Sequence, residues 1–292
     1  MKTIKLGKLL RALRGPQTIG LALGSGGARG LAHIPVLEAF DELGVKPVAI
    51  AGSSIGAVVG AAYADGMTGR EIRKFATDML RDGPKLMRRM AALQFGQMRG
   101  QFRDLFRLAG APMQVDAITI ANEFMATIVP EKFSDLQIPL QVVATDYWAR
   151  EEVVFNKGPL RPAVAASMAI PGLTRPVELG GRVLIDGGTT NPLPFDLLNG
   201  AADIVIAVDI TPLAERREKA VPAPFESLFM ALHIMSNAIV AEKLKARAPD
   251  ILLQPKVHTF GALEFFRVTP ILRAADPIKE ELKRKLGALL EA

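Results

Sequence analysis

The sequence predicts an α/β protein with a mostly parallel central sheet and helices on both faces, on the basis of three observations. Residues 18–23 form an apolar run typical of a buried strand, and a glycine-rich loop and a helical apolar stripe ending at Gly44 follow it. Residues 48–51 begin a second unit of the same order, with a tight turn and a helix over 55–64. A strongly apolar strand is predicted over 203–209. Because strands that alternate with helices form parallel sheets, we expect a site at the carboxyl ends of the strands.

Shorter signals predict the other elements. They are a strand over 139–146 with a partner over 152–155, a helix over 160–169, a hairpin of 177–179 and 183–185 around two glycines, a helix near 195–198, a long amphipathic helix over 225–247 and a charged helix over 277–292. The stretch 47–64 carries no charged residue, but serines and glycines at its centre favour a buried strand, turn and helix over a membrane span.

The composition restricts the classes of site. The chain has 292 residues, of which 49% are hydrophobic and 23% charged, which suits one sizeable α/β domain or two small ones. It has no cysteine, which excludes disulfides, thiolate nucleophiles and zinc–thiolate sites, and makes a cytoplasmic setting the simpler assumption. The N-terminus lacks the pattern of a signal peptide.

The formal net charge of +6 favours an anionic partner, either nucleic acid or a membrane surface. We expect no nucleic acid, because no RNA-binding, zinc-finger or helix-turn-helix signature accompanies the charge. Basic residues at every third position of 1–14 alternate with leucines, as in a helix that lies on a peripheral membrane surface or packs on the domain. Residues 83–114 combine Met, Phe and Arg, which fits a lipid-facing cap over the site or an insertion whose apolar residues are core.

These patterns divide the chain into three parts. We expect a basic amphipathic segment over 1–17, a catalytic domain over 18–212 that includes the 83–114 insertion, and a C-terminal helical extension over 213–292 that packs on the same domain. No chemistry is expected in the last part.

The first glycine-rich loop, residues 24–30, is predicted to bind an anion. Bare backbone N–H groups and a helix N-terminus would point at the same place. The loop lacks the lysine and hydroxyl residue of a P-loop and the spacing of a dinucleotide fingerprint. The anion is therefore a bound phosphate or the transient oxyanion of an acyl transfer.

The second turn contains the pattern Gly-x-Ser-x-Gly, from Gly52 to Gly56, with Ser54 at its centre. Such a turn holds a serine hydroxyl on a strained corner between strand and helix, and its glycines allow the close approach of neighbouring backbone. Taken alone, the pattern also describes an ordinary turn in which a serine caps the helix.

A serine nucleophile needs a base, and the sequence offers several. Asp146, Asp186 and Asp209 follow predicted strands, although an aspartate there is more often a turn former. The histidine of an α/β-hydrolase triad would follow the serine in the chain. That leaves His233, in an apolar helix, and His258, in a loop.

Four ordered motifs together resemble the patatin-like phospholipase family, and within it the bacterial members related to neuropathy target esterase. They are Gly26-Gly27-x-Arg29-Gly30, Gly52-x-Ser54-x-Gly56, Ala166-Ser167-x-x-Ile170-Pro171 with Pro176 beyond, and Asp186-Gly187-Gly188 with Asn191-Pro192. The resemblance covers about residues 19–209. One departure is Ser25, which stands where many relatives have the first glycine of the loop.

The resemblance implies a three-layer patatin-like sandwich and a Ser–Asp dyad without histidine. Ser54 would be the nucleophile and Asp186 the base, while the N–H groups of Gly26 and Gly27, with Arg29, would form the oxyanion hole. No metal or cofactor is implied, and the substrate would be a phospholipid or another fatty-acyl ester. Two other functions stay open at this point: a phosphate- or nucleotide-binding protein that uses the glycine loop, and a membrane-associated regulatory protein with the same fold and no turnover.

Overall fold

The computed structural model describes residues 17–81, 115–120, 125–211 and 224–291. The predicted membrane-surface segment 1–14 and the insertion 83–114 lie outside the described residues.

The first described part of the chain consists of two strand–loop–helix units. Strand β1 (Ile19–Leu23) leads into a 3-10 helix (Gly27–Ala32) and helix α1 (His33–Leu43), and strand β2 (Ala49–Ser53) leads into helix α2 (Ile55–Ala64). Helix α3 (Gly69–Leu80) follows, and begins with a capping box in which Thr68 and Glu71 satisfy each other's backbone N–H groups. This order confirms the two units that the sequence predicts.

The middle of the chain contains most of the remaining strands. In order, the elements are β3 (Val115–Asp116), α4 (Ala117–Ile120), β4 (Leu140–Asp146), β5 (Glu151–Phe155), α5 (Leu160–Ser167), β6 (Thr174–Arg175), β7 (Val177–Leu179), β8 (Arg182–Asp186), a 3-10 helix (Phe195–Leu198) and β9 (Ile204–Val208). The last part contains α6 (Pro224–Ala246), β10 (Ile251–Leu253), α7 (Val268–Ala275) and α8 (Ile278–Glu291).

The central sheet is mixed and mostly parallel along its main path. Its strand order is β10-β9-β1-β2-β4-β8-β7, and β5 also pairs with β4. Strands β10, β9, β1, β2 and β4 are parallel, whereas β5, β7 and β8 run antiparallel to their neighbours. The carboxyl ends of the parallel strands therefore meet at one edge of the sheet, which we call the carboxyl edge.

Both faces of the sheet are covered. Leu21 and Leu23 of β1 belong to the larger apolar cluster, which includes residues of α1, α2, α7 and α8. Ala22 lies between them in sequence and belongs to a second cluster with Phe195, Leu198 and Val240 of α6. The alternation of a strand thus sends neighbouring side chains into two separate cores, which confirms the predicted α/β architecture.

The C-terminal part contributes to the sheet as well as to its covering. The sequence predicts only helices over 213–292, but Ile251–Leu253 forms strand β10 and pairs in parallel with β9. Three residues are too short for a periodic pattern to reveal.

Among the described residues, no helix combines the length and the apolar character needed to cross a bilayer. The uncharged stretch 47–64 forms β2, the serine turn and α2.

Candidate active site

The register of β4 brings two distant chain ends together. Strand β5 pairs along β4 from Val142 to Asp146 and so occupies one side of that strand. On the other side, β2 ends opposite Val143, and β8 runs in the opposite direction and ends with Asp186 opposite Ala144. Strands β2 and β8 therefore meet head to head, which places the serine turn and Asp186 next to each other.

Ser54 occupies the sharp corner between β2 and α2. Its backbone angles, φ 54° and ψ −123°, lie in a region that residues other than glycine rarely adopt. A Cβ at Gly56 would overlap the carbonyl of Leu23, and one at Gly52 would lie 2.7 Å from the backbone of Ala57. The two motif glycines thus allow the close backbone contacts that hold the serine in a strained conformation.

The Ser54 hydroxyl donates a hydrogen bond of 2.7 Å to Oδ2 of Asp186. The other carboxylate oxygen, Oδ1, accepts a bond of 2.7 Å from the Gly188 N–H. Asp186 is buried, and this burial raises its pKa to about 6, against the opposing effect of the two hydrogen bonds. A carboxylate with such a pKa is a better proton acceptor than an exposed aspartate and is still mostly ionised at neutral pH.

The turn after Asp186 is held closely against the sheet. Thr145 of β4 donates a bond of 3.0 Å to the Asp186 carbonyl. A Cβ at Gly187 would overlap the carbonyl of Val143, and one at Gly188 would lie 2.6 Å from the Ser25 hydroxyl. Both glycines therefore allow the carboxylate loop to lie directly on β4 and on the glycine-rich loop.

The glycine-rich loop presents two N–H groups near the serine. The N–H groups of Gly24, Ser25 and Ala28 donate to the carbonyls of Val208, Pro192 and Ala262, respectively. Within the described part of the chain, the N–H groups of Gly26 and Gly27 have no acceptor. Gly27 adopts φ 60°, and a Cβ there would overlap the Ala262 carbonyl. Gly30 is also tightly packed, since a Cβ there would overlap the side chain of Ile55.

Arg29 is buried, and its side chain contacts residues of the C-terminal part of the chain. Its guanidinium donates to the carbonyls of Ile210 and Phe260, each at 3.1 Å, and Nη2 lies 3.4 Å from Nε2 of His233. Burial lowers the pKa of Arg29 to about 10, although the carboxylate of Asp209 opposes this effect. The side chain thus connects the glycine-rich loop to three other segments.

A pocket of about 80 Å³ opens onto the Ser54 hydroxyl, Asp186 and the loop residues Ser25, Gly26 and Gly27. Part of its wall comes from the C-terminal region, for which the sequence predicts no role at the site. These residues are Leu232, His233, Met235 and Ser236 of α6, with Ala262 and Leu263 of the following loop. Ser236 also donates a bond of 3.2 Å to the Gly188 carbonyl, so α6 packs directly on the Asp186 loop.

The other acid and base candidates lie in different surroundings. Asp146 accepts bonds from the N–H groups of Trp148 and Ala149, as expected of a turn former, and Asp209 accepts from Thr211 and Gln254. Burial and the charge of Arg29 lower the pKa of His233 to about 4, so its ring is neutral at pH 7. His258 is not among the described residues that line the pocket. No group of three His, Asp or Glu side chains that could hold a metal ion occurs within the described ranges.

Comparisons with known proteins agree on one family. The family model described as patatin-like phospholipase matches residues 21–199. An uncharacterised NTE family protein of Mycobacterium tuberculosis is 38% identical over 197 residues, which are 66% of this chain and 49% of that protein. Patatin-like phospholipase domain-containing protein 6 of Homo sapiens is 31% identical over 210 residues, which are 70% of this chain and 14% of that protein. The chain thus spans about half the length of the mycobacterial relative and a smaller share of the human one.

Among solved structures, VipD from Legionella pneumophila aligns with 91% of this chain and 67% of its own. Its TM-score is 0.48 and its sequence identity is 14%.

Proposed function

This chain belongs to the patatin-like phospholipase family, and on that premise we propose that it is a serine lipid acyl hydrolase. In this proposal Ser54 is the nucleophile and Asp186 the general base of a dyad. The N–H groups of Gly26 and Gly27 bind the oxyanion.

The observation that carries the proposal is the hydrogen bond of 2.7 Å from the Ser54 hydroxyl to Asp186. A serine hydroxyl becomes an effective nucleophile when a neighbouring base takes its proton as attack proceeds. Asp186 is within reach of that proton, and the raised pKa of its carboxyl group matches the task at neutral pH.

The oxyanion hole is proposed from the two N–H groups without an acceptor in the described chain, those of Gly26 and Gly27. Both residues line the pocket beside Ser54. Donors of this kind stabilise charge that appears only in the transition state, and the loss of one typically costs about 3 to 4 kcal/mol. We propose for Arg29 an indirect part, in which its guanidinium holds the loop in place through Ile210 and Phe260.

The reaction follows in two steps. The Ser54 oxygen attacks the acyl carbonyl carbon while Asp186 takes the serine proton, and the resulting oxyanion accepts bonds from the glycine N–H groups. The ester C–O bond then breaks, the alcohol leaves with the proton from Asp186, and an acyl-enzyme remains. Asp186 next removes a proton from water, which attacks the acyl carbon. The fatty acid departs as Ser54 recovers its proton.

The substrate class proposed is a fatty-acyl ester of a lipid or phospholipid. A cytoplasmic setting, with peripheral contact to the inner membrane face through residues 1–14 and 83–114, remains a prediction from the sequence.

The test compares Ser54→Ala and Asp186→Asn with the wild type in two assays. The first is covalent labelling with a fluorophosphonate. The second is hydrolysis of a p-nitrophenyl ester and of a panel of phospholipids. Both variants should lose hydrolysis, and Ser54→Ala should also lose labelling. The control is Ser53→Ala, because Ser53 is buried next to Ser54 and its hydroxyl has no partner among the described residues.

Three results would contradict the proposal. Hydrolysis by Ser54→Ala would exclude the nucleophile. Loss of hydrolysis in His233→Ala or His258→Ala, with Asp186→Asn active, would favour a histidine base. Thermal stabilisation by phosphate or a nucleotide, without labelling of the wild type, would favour the binding protein.

A further inference from the structure

Helix α6 exposes an uncharged stripe at the carboxyl edge of the sheet. Six of its exposed positions recur at helical spacing, and we call them the α6 stripe: Ser227, Met230, Ala231, Ile234, Met235 and Ala238. The exposed fractions of Met230, Ile234 and Met235 are 48%, 62% and 56%. No Asp, Glu, Lys or Arg occurs between Glu226 and Glu242. The apolar side chains on the solvent side of this helix are therefore not covered by the described chain.

Another helix of the same domain shows what an ordinary solvent face looks like in this protein. The exposed positions of α3 are Arg70, Glu71, Lys74 and Asp78, all of them charged. An amphipathic helix normally turns its polar side outward. On α6, both the exposed stripe and much of the side that faces the pocket are apolar, which is typical of a surface that binds something apolar.

The α6 stripe is continuous with the mouth of the Ser54 pocket. Met235 belongs to the stripe and also lines the pocket. Leu263, in the loop 254–267, lines the same pocket, and its exposed fraction is 42%. Phe266 follows Leu263 by three residues in the chain and is also exposed, by 47%. Since Met235 and Leu263 both line the pocket and are exposed, a long acyl chain bound at Ser54 can leave the pocket over the rim that they form.

The charges beside the rim suit an anionic lipid surface. Arg267 adjoins Phe266, and its guanidinium packs over the ring of Phe260, 4.8 Å from the centroid. Lys256 is exposed in the same loop region, residues 254–267. Glu264 is the one acidic residue of that region, and it forms an ion pair with Arg267. Exposed apolar side chains flanked by Arg and Lys are typical of segments that lie in the headgroup region of a bilayer.

We propose that the α6 stripe, with Leu263 and Phe266, docks on a phospholipid surface that contains anionic lipid, so that the Ser54 pocket opens directly onto the lipid. The inference rests on the proposed function, because access to lipid serves an enzyme that hydrolyses lipid, but the docking itself does not require turnover. It assigns membrane contact to described residues at the pocket mouth, separate from the segments 1–14 and 83–114.

The experiment compares a stripe variant with a matched control by sedimentation with vesicles of phosphatidylcholine alone and of phosphatidylcholine with phosphatidylglycerol. The stripe variant is Met230→Glu with Ile234→Glu, two residues that do not line the pocket. The control is Leu290→Glu on α8, whose exposed fraction is 47%. Its neighbours Ala288 and Leu289 lie near Asp250 and Ile251, at the start of β10 and so at the opposite edge of the sheet. All binding is measured in a Ser54→Ala background, so that no lipid is hydrolysed.

The control should bind the mixed vesicles as the parent protein does, and bind pure phosphatidylcholine more weakly. The stripe variant should bind the mixed vesicles at least about ten-fold more weakly, because each glutamate removes an apolar side chain from the interface and adds a repelled charge. With Ser54 restored, the stripe variant should hydrolyse a soluble short-chain ester at the parent rate. A pair of Met230→Gln and Ile234→Gln repeats the comparison without added charge if the glutamate pair does not fold.

Equal binding by parent and stripe variants would overturn the inference. So would a parent dimer in light scattering without lipid that the stripe variants convert to monomer, because the stripe would then bind a second copy. Vesicle binding without ester hydrolysis by the wild type would contradict the proposed function alone. Hydrolysis of soluble ester without vesicle binding would contradict only the docking.

Discussion

The backbone N–H of Ser54 donates a hydrogen bond of 2.8 Å to the hydroxyl of Ser167, although the two residues are 113 positions apart. Ser167 is the last residue of α5 and is fully buried. It thus supports the strained turn through the backbone of Ser54, and fixes the direction of the N–H that follows β2. Because Ser167 binds the backbone N–H of Ser54, it constrains this residue and leaves the Ser54 hydroxyl to bond with Asp186.

We therefore expect Ser167→Ala to lower kcat by about ten-fold with little change in KM, because the serine turn loses an anchor that positions the proposed nucleophile. It should also lower the free energy of unfolding by about 1 to 3 kcal/mol, since a buried N–H loses its acceptor. Steady-state kinetics and urea unfolding measure the two effects. The matched control is Ser53→Ala, which removes a buried hydroxyl without a partner in the described chain and should leave both quantities nearly unchanged or raise stability. Equal effects of the two substitutions would contradict the anchoring role.

The pKa of Asp186 predicts how activity depends on pH. The proposed base works only when ionised, so kcat/KM should fall with a slope of one proton as the pH drops through about 6. A profile on a soluble ester, whose own ionisation does not change in this range, measures it. A flat profile between pH 5 and 8 would exclude Asp186 as the base.

The same shift makes a prediction about stability. The pKa of Asp186 is raised from 3.8 to about 6 by burial, so its favourable contribution is fully present below the unfolded pKa and is lost as the pH rises through about 6. Asp186→Asn should therefore raise the free energy of unfolding at pH 8 by about 2 to 3 kcal/mol and have a smaller effect at pH 4. An asparagine can keep both contacts, since its oxygen can accept from Gly188 and its amide can donate to Ser54. Urea unfolding at the two pH values tests this, and a larger gain at pH 4 would contradict it.

Alanine substitutions at two glycines with nearly the same φ distinguish the cost of backbone strain from an effect on the site. Gly27 has φ 60° and Gly44 has φ 66°, but a Cβ at Gly44 meets nothing within 4 Å, whereas one at Gly27 overlaps the Ala262 carbonyl. Gly44→Ala should cost about 1 to 2 kcal/mol of stability and keep its activity. Gly27→Ala should cost more and lower kcat about 100-fold, because the loop that carries the proposed oxyanion donors must move. Similar kinetics for the two variants would argue against Gly27 as a donor.

Much of the fold could be predicted because its signals are local. The apolar runs of β1, β2 and β9, and the glycine that ends α1, follow from short stretches of sequence. The family resemblance that the motifs carry also implies that Ser54 and Asp186 meet, and the structure brings their side chains together. Their catalytic roles remain predictions.

The contribution of α6 could not be predicted, because a helix that is apolar on both sides does not reveal which side faces the core. The hydrogen-bond partners of Arg29 were equally hidden, since its guanidinium donates to carbonyls more than 180 positions away. Ser167 lies within a recognised motif, but no local pattern identifies the N–H that it accepts. In each case the missing information is a long-range contact.

The backbone angles of Ser54 have a consequence for how such a chain drifts under mutation. Glycine adopts positive φ without a steric penalty, whereas a serine in this region is strained by an amount on the order of 1 to 3 kcal/mol. A lineage that no longer needed the hydroxyl would gain stability by exchanging this serine for glycine through a single substitution. The presence of a serine where glycine would be unstrained therefore indicates a use for the hydroxyl, independently of any distance measured around it.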